Sequence, residues 1–129
     1  MLLVVDTNII VNALLSNNEN AKSLRLMDDI FNGVHRICVS SQIMAEYRDV
    51  LSRPVFHIPE DTFNELMAWF DKNALHIEPS PTTQDQAFMK DEDDRAFFDL
   101  AKCLNAKLIT RNYKHYPVHE LITLIDELY

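Results

Sequence analysis

Two apolar rhythms divide the chain. The runs LLVV (2–5), RICVS (36–40), AKLIT (106–110) and LITL (121–124) are short, continuous and rich in branched residues. Each is expected to be a strand buried on both faces, as in a parallel sheet. LHIEP (75–79) is a weaker candidate of the same kind. Between them, residues 8–15, AKSLRLMDDIFNGV, SQIMAEYRDVLSR, roughly 61–74 and DEDDRAFFDLAKCLN repeat apolar residues at helical spacing. In the second of these, Leu24, Met27, Ile30 and Phe31 form the inward stripe, with Gly33 placed for a C-cap. Ser40 and Ser41 can cap the third, which Pro54 ends. Phe63, Leu66, Met67 and Phe70 point the fourth inward. IDELY reads as a closing helical turn. PSPTTQDQAF is the most loop-like stretch, and there is neither a repeat nor a second linker.

The order β-α-α-β-α-α-β-α-β-β-α implies an α/β fold, a parallel sheet between helical layers, forming a single domain over 1–129. Ligands of such sheets sit at the carboxyl ends of the strands. Asp6 immediately follows the first strand, and Arg111 and Asn112 follow AKLIT, so both places belong to the functional edge. Asp6 lies between two apolar runs, VV and II, where an uncompensated carboxylate is costly.

Helix geometry sorts some of the other carboxylates at about 100° per residue. In 93–104, Phe97, Phe98, Leu100, Ala101 and Leu104 define the inward arc. Asp94 continues that stripe toward the sheet edge, and Asp93 falls on its other margin. Asp91, Asp93 and Asp94 also suit a first helical turn for its dipole alone, with Asp91 as the N-cap. Asp99 points away and has Arg95 and Lys102 at ion-pair spacing, so it is expected to be solvated. Glu46 lies at the edge of the stripe Ile43, Tyr47, Val50 and Leu51, with no cation one turn away. It is either exposed or paired from elsewhere in the fold. If Asp6, Glu46 and Asp94 converge, their repulsion needs a cation, and hard oxygen donors suit Mg²⁺ or Mn²⁺.

Charge and composition narrow the function. Twenty acidic against twelve basic residues give a net charge of −8, which argues against simple coating of nucleic acid. A local basic patch is still available: Lys107, Arg111, Lys114 and His115, interleaved with Tyr113 and Tyr116. It reads equally as a solvated loop. The single glycine, Gly33, excludes Gly-rich phosphate loops and the nucleophile elbow. Cys38 and Cys103 fit no metal spacing and are expected as reduced core thiols of a cytoplasmic protein. No apolar run is long enough to span a membrane, and the N-terminal segment, broken by Asp6, does not read as a signal peptide.

VVDTNIIVNAL, SSQIMAEYRDVLSRPVF and DEDDRAFFDLAKCLNAKLITRN, followed by a short strand-helix tail, resemble the PIN-domain family of metal-dependent ribonucleases over essentially the whole chain. LSRPVF looks especially like the VapC-like branch of toxin components of toxin–antitoxin pairs. The resemblance implies a three-layer α/β/α sandwich on a five-stranded, mainly parallel sheet. It implies hydrolysis of RNA phosphodiester bonds by water activated on Mg²⁺ or Mn²⁺, in the cytoplasm. A cognate antitoxin protein and a homodimer are the implied partners.

Residue by residue, Asp6 matches the family's first acid, with Asn8 beside it. Glu46 matches the second, Asp94 the third, and Thr110 the hydroxyl residue ending the fourth strand. Where the family carries a fourth acid, this chain has Asn112, which can ligate through its amide oxygen but brings no charge. Arg111, Lys114 or Lys107 would neutralise phosphates, and Tyr113 or Tyr116 would stack on an unpaired base. The missing acid also opens a second reading: a catalytically weak or inactive module that binds RNA or a protein partner. A phosphotransferase of the haloacid-dehalogenase type is disfavoured, because DTNII has Asn8 where that chemistry requires a second aspartate.

Overall fold

The computed structural model describes residues 1–15, 21–80, 92–111, 116 and 120–129. Among them run β1 (Leu2–Val5), α1 (Thr7–Leu15), α2 (Lys22–Phe31), β2 (Arg36–Val39), α3 (Ser41–Leu51), a 3-10 turn (Pro54–Phe56), α4 (Glu60–Asn73), β3 (Leu75–His76), α5 (Glu92–Leu104), β4 (Lys107–Thr110), β5 (Ile122–Leu124) and α6 (Ile125–Leu128). The five described strands form one sheet in the order β3-β2-β1-β4-β5, and every neighbouring pair is parallel. Leu3, Val4 and Val5 alternate faces yet all have zero exposure, so helices cover both sides of the sheet.

The strand order positions the site. The chain begins at the sheet centre with β1, builds outward through β2 and β3, then returns to the other side of β1 for β4 and β5. The direction of building therefore reverses between β1 and β4. That switch point leaves a crevice at their carboxyl ends, where α/β sheets hold ligands.

Local chemistry explains the helix starts and one shortened strand. Ser40 caps α3, its hydroxyl accepting from the Ile43 amide at 3.2 Å. The third strand is shorter than 75–79. Ile77 still donates to Val39 O at 3.0 Å, but Glu78 turns to the head of α3. Its carboxylate accepts from the Ser41 amide at 2.7 Å and the Ser41 hydroxyl at 2.5 Å. Those two bonds hold the Glu78 carboxyl below the usual glutamate range.

Three expectations need correcting. The buried stripe of α2 is Ser23, Leu26, Met27 and Ile30, whereas Phe31 is 44% exposed. Two overlapping stripes fit that helix. A polar contact, Asn12 Nδ2 donating to Ser23 Oγ at 3.1 Å, accompanies the one adopted. The Phe31 ring instead meets Trp69 edge to face, 4.8 Å between centroids. Cys38 is a core thiol pushed up by burial, but Cys103 is exposed on α5. Asp99 is not solvated. It and Arg95 are each 7% exposed, with Arg95 Nε 3.6 Å from Asp99 Oδ2. Spacing identified the pair but not the packing that covers it. No helix among the described residues is long and apolar enough to cross a membrane.

Candidate active site

Asp6 ends β1 and precedes the first residue of α1. Its amide donates to Ile109 O at 3.0 Å, continuing the pairing with β4, and its carbonyl accepts from the Ile9 amide at 3.0 Å, opening the helix. The carboxylate is thus fixed at the β1–β4 crevice and at the positive end of α1, which favours its charge. It is 6% exposed. Thr110, 1% exposed at the end of β4, donates its hydroxyl to Asp6 Oδ2 at 3.0 Å. Tyr116 donates to the same oxygen at 3.2 Å.

Tyr116 is the residue that sequence reasoning misplaced. It is 5% exposed, so its ring belongs to the protein interior and is not available to a base. Burial first, then the charges of Asp6 and Asp94, hold its hydroxyl protonated well above the ordinary tyrosine range. It therefore remains a donor, and its environment locates Asp94, half-buried on α5, in the same neighbourhood as Asp6. The only signal in the sequence was a tyrosine in an otherwise polar stretch, which carries no period. Replacing Tyr116 by Phe removes a donor from a buried carboxylate. The expected loss is roughly 1.5–3 kcal/mol of folding stability by denaturant titration, the usual range for a bond to a charged group.

Glu46 is half-buried on α3, one residue before Tyr47. Tyr47 is anchored in the core, donating to Val5 O at 2.5 Å, and burial and then Asp6 push its hydroxyl well above its ordinary range. Among the described residues no three His, Cys, Asp or Glu side chains gather as a metal-holding group. Asn8 is exposed on the first turn of α1 and Arg111 is exposed just after β4. Lys107 is separated from them: it opens β4 opposite Leu3, at the amino edge of the sheet. Three residue steps along the strand, roughly 10 Å, separate it from Thr110. Asp91, Asn112, Tyr113, Lys114 and His115, and the Asp93 side chain, lie outside the described residues.

The donors at this edge suit a hard divalent cation. They are all oxygens, and a small ion such as Mg²⁺ keeps several waters and needs only one or two carboxylates beside substrate phosphate. The Thr7 hydroxyl, directly after Asp6, is buried without a hydrogen-bond partner among the described residues. A water in the shell of such an ion would satisfy it.

A parallel α/β sheet carrying a buried strand-end aspartate and a helical second acid at its switch point defines a class, and sequence comparison agrees with it. The chain belongs to the PIN domain family, whose profile matches residues 2–114. No functionally curated protein matches it. Among solved structures it is similar to VapBC2 from Rickettsia felis bound to a DNA fragment from their promoter, at 18% identity and a TM-score of 0.56, covering 96% of this chain and 97% of that one. It is also similar to FitAcB from Neisseria gonorrhoeae, at 16% identity and a TM-score of 0.53, covering 88% of this chain and 89% of that one.

Proposed function

We propose that this protein is a divalent-metal-dependent endoribonuclease, the toxin of a toxin–antitoxin pair, using Mg²⁺ or Mn²⁺. The observation that carries the reading is Asp6: a buried carboxylate at the switch point, steered by Thr110 and Tyr116 and neighboured by Asp94, in a PIN-domain chain. Asp6 and Asp94 would hold the cation, with Glu46 and Asn112 completing its surroundings directly or through water. When bound, the ion supplies an acidified water and neutralises charge building on the phosphate.

The chain's own residues have separable tasks. Thr110 and Tyr116 fix one oxygen of Asp6 and thereby the rotamer of its carboxylate. Arg111, with Lys114 and Tyr113, contacts the RNA on either side of the scissile bond. Asn8, exposed on the first turn of α1, would act as an auxiliary residue, as would Asp91 and Asp93. The shared fold of VapBC2 and FitAcB supports an antitoxin protein as partner. The test is cleavage of single-stranded and structured RNA with Mn²⁺, abolished by EDTA and by Asp6→Asn or Asp94→Asn. Cleavage that survives all three sinks the proposal.

Asn112 favours a second reading, in which the module binds RNA or a protein without cutting. Restoring the charge separates the two. Under the second reading the wild type gives no calorimetric Mn²⁺ signal and no cleavage, and Asn112→Asp gains metal binding. Under the first, the wild type already binds and cuts, and Asn112→Asp strengthens both.

A further inference from the structure

Where the head of α2 meets the ends of β4 and β5, the fold leaves a cavity of about 350 Å³. Asn12, Lys22, Ser23, Arg111 and Asp126 supply its polar wall. We propose that this cavity is a second phosphate subsite, holding a non-scissile phosphodiester of the RNA. The proposal rests on the ribonuclease reading above and adds where the strand lies.

Position is the first argument. Arg111 follows Thr110, whose hydroxyl is on Asp6. The cavity wall therefore includes the residue that directly follows the strand end beside Asp6. A strand with one phosphate at Asp6 has another within reach of Arg111.

Charge is the second. Lys22 Nζ is 2.9 Å from Asp126 Oδ1, whereas Arg111 makes no ion pair among the described residues. Lys22, Arg111 and Asp126 together leave one positive charge, matching one phosphodiester. Guanidinium and ammonium are also the phosphate-binding groups of choice.

Rigidity is the third. Ser23 is 2% exposed and accepts from Asn12 at 3.1 Å, so the cavity floor is bonded together before any ligand arrives. In this arrangement Asp126 occupies Lys22 in the absence of RNA and is displaced by the phosphate. On a chain of net charge −8, such a local site is how RNA is held at all.

The experiment is anisotropy of a fluorescein-labelled single-stranded RNA dodecamer with the full chain in EDTA, over a salt series, beside Mn²⁺-dependent cleavage kinetics. Lys22→Ala and Arg111→Ala should each weaken binding about fivefold at 0.1 M salt and flatten the salt slope by about 0.7, the value of one lost phosphate contact on a single strand. Both should raise KM with little change in kcat. Asp126→Asn should tighten binding by releasing Lys22. Lys72→Ala, an exposed cation near Arg36 at the other edge of the sheet, should change nothing. Wild-type affinity and slope in both Lys22→Ala and Arg111→Ala overturn the subsite while cleavage stands. Binding that responds as described without Mn²⁺-dependent cleavage keeps the subsite and removes the nuclease reading. Absence of RNA binding by the wild type overturns both.

Discussion

Asp6→Asn should reduce Mn²⁺-dependent RNA cleavage by on the order of 10³-fold in kcat/KM while leaving the protein folded. The substitution keeps the size and planarity of the side chain. Its carbonyl oxygen can still accept from Thr110 and Tyr116, which meet the native carboxylate at 3.0 and 3.2 Å. What disappears is the charge. Several kcal/mol of transition-state stabilisation by a bound divalent ion depends on that charge, and each 1.36 kcal/mol is tenfold in rate.

Folding itself should not suffer. A carboxylate that is 6% exposed is expensive to desolvate, so neutralising it should leave the melting temperature equal or higher. Metal linkage gives an independent readout. Saturating Mn²⁺ at about 100 times its Kd should stabilise the wild type by about 2.7 kcal/mol, and the variant should lose most of that shift. A variant that cleaves like the wild type, or melts with the same Mn²⁺ response, would remove Asp6 from the metal site.

Asp99→Asn should cost about 3 kcal/mol of stability, lowering the melting temperature by roughly 10 °C, without touching the chemistry directly. A solvent-exposed ion pair at this spacing would be worth only about 0.5 kcal/mol. The difference is burial. Arg95 and Asp99 are each 7% exposed, and removing one charge takes an ion-pair partner from the other inside the packing. Replacing both together by apolar residues of similar volume should be much less damaging than either single change. Chemical denaturation of the three variants decides the matter, and a single-variant loss below about 0.5 kcal/mol would mean the pair is effectively solvated.

These two acids mark what a pattern can and cannot say. Asp6 was legible because its position, directly after a buried strand and before an apolar helix, leaves a carboxylate no route to bulk water. The same strand-end logic put Arg111 on the functional edge, and Thr110 came from the family resemblance. Asp99 was misread because helical spacing identifies neighbours on the same helix and is silent about what packs over them. Lys107 was misread for a related reason. Four residues in sequence look like proximity to Arg111, yet an extended strand carries them to opposite edges of the sheet. For α2, the expected stripe included Leu24 and Phe31, and the helix instead buries Ser23 against Asn12.

By itself the sequence determined the element order, the parallel sheet and the edge at which chemistry is to be sought. Those follow from local rules: short apolar runs that must be buried on both faces, helical periodicity, and the residues that start and stop helices. Only the tertiary structure decided that Tyr116 turns inward to share Asp6 with Thr110, that Asp94 comes into the same neighbourhood, and that Lys22 meets Arg111 around one cavity. Each of these joins residues far apart in the chain, and no period of 2 or 3.6 encodes which of them the packing of the helices on the sheet will bring together.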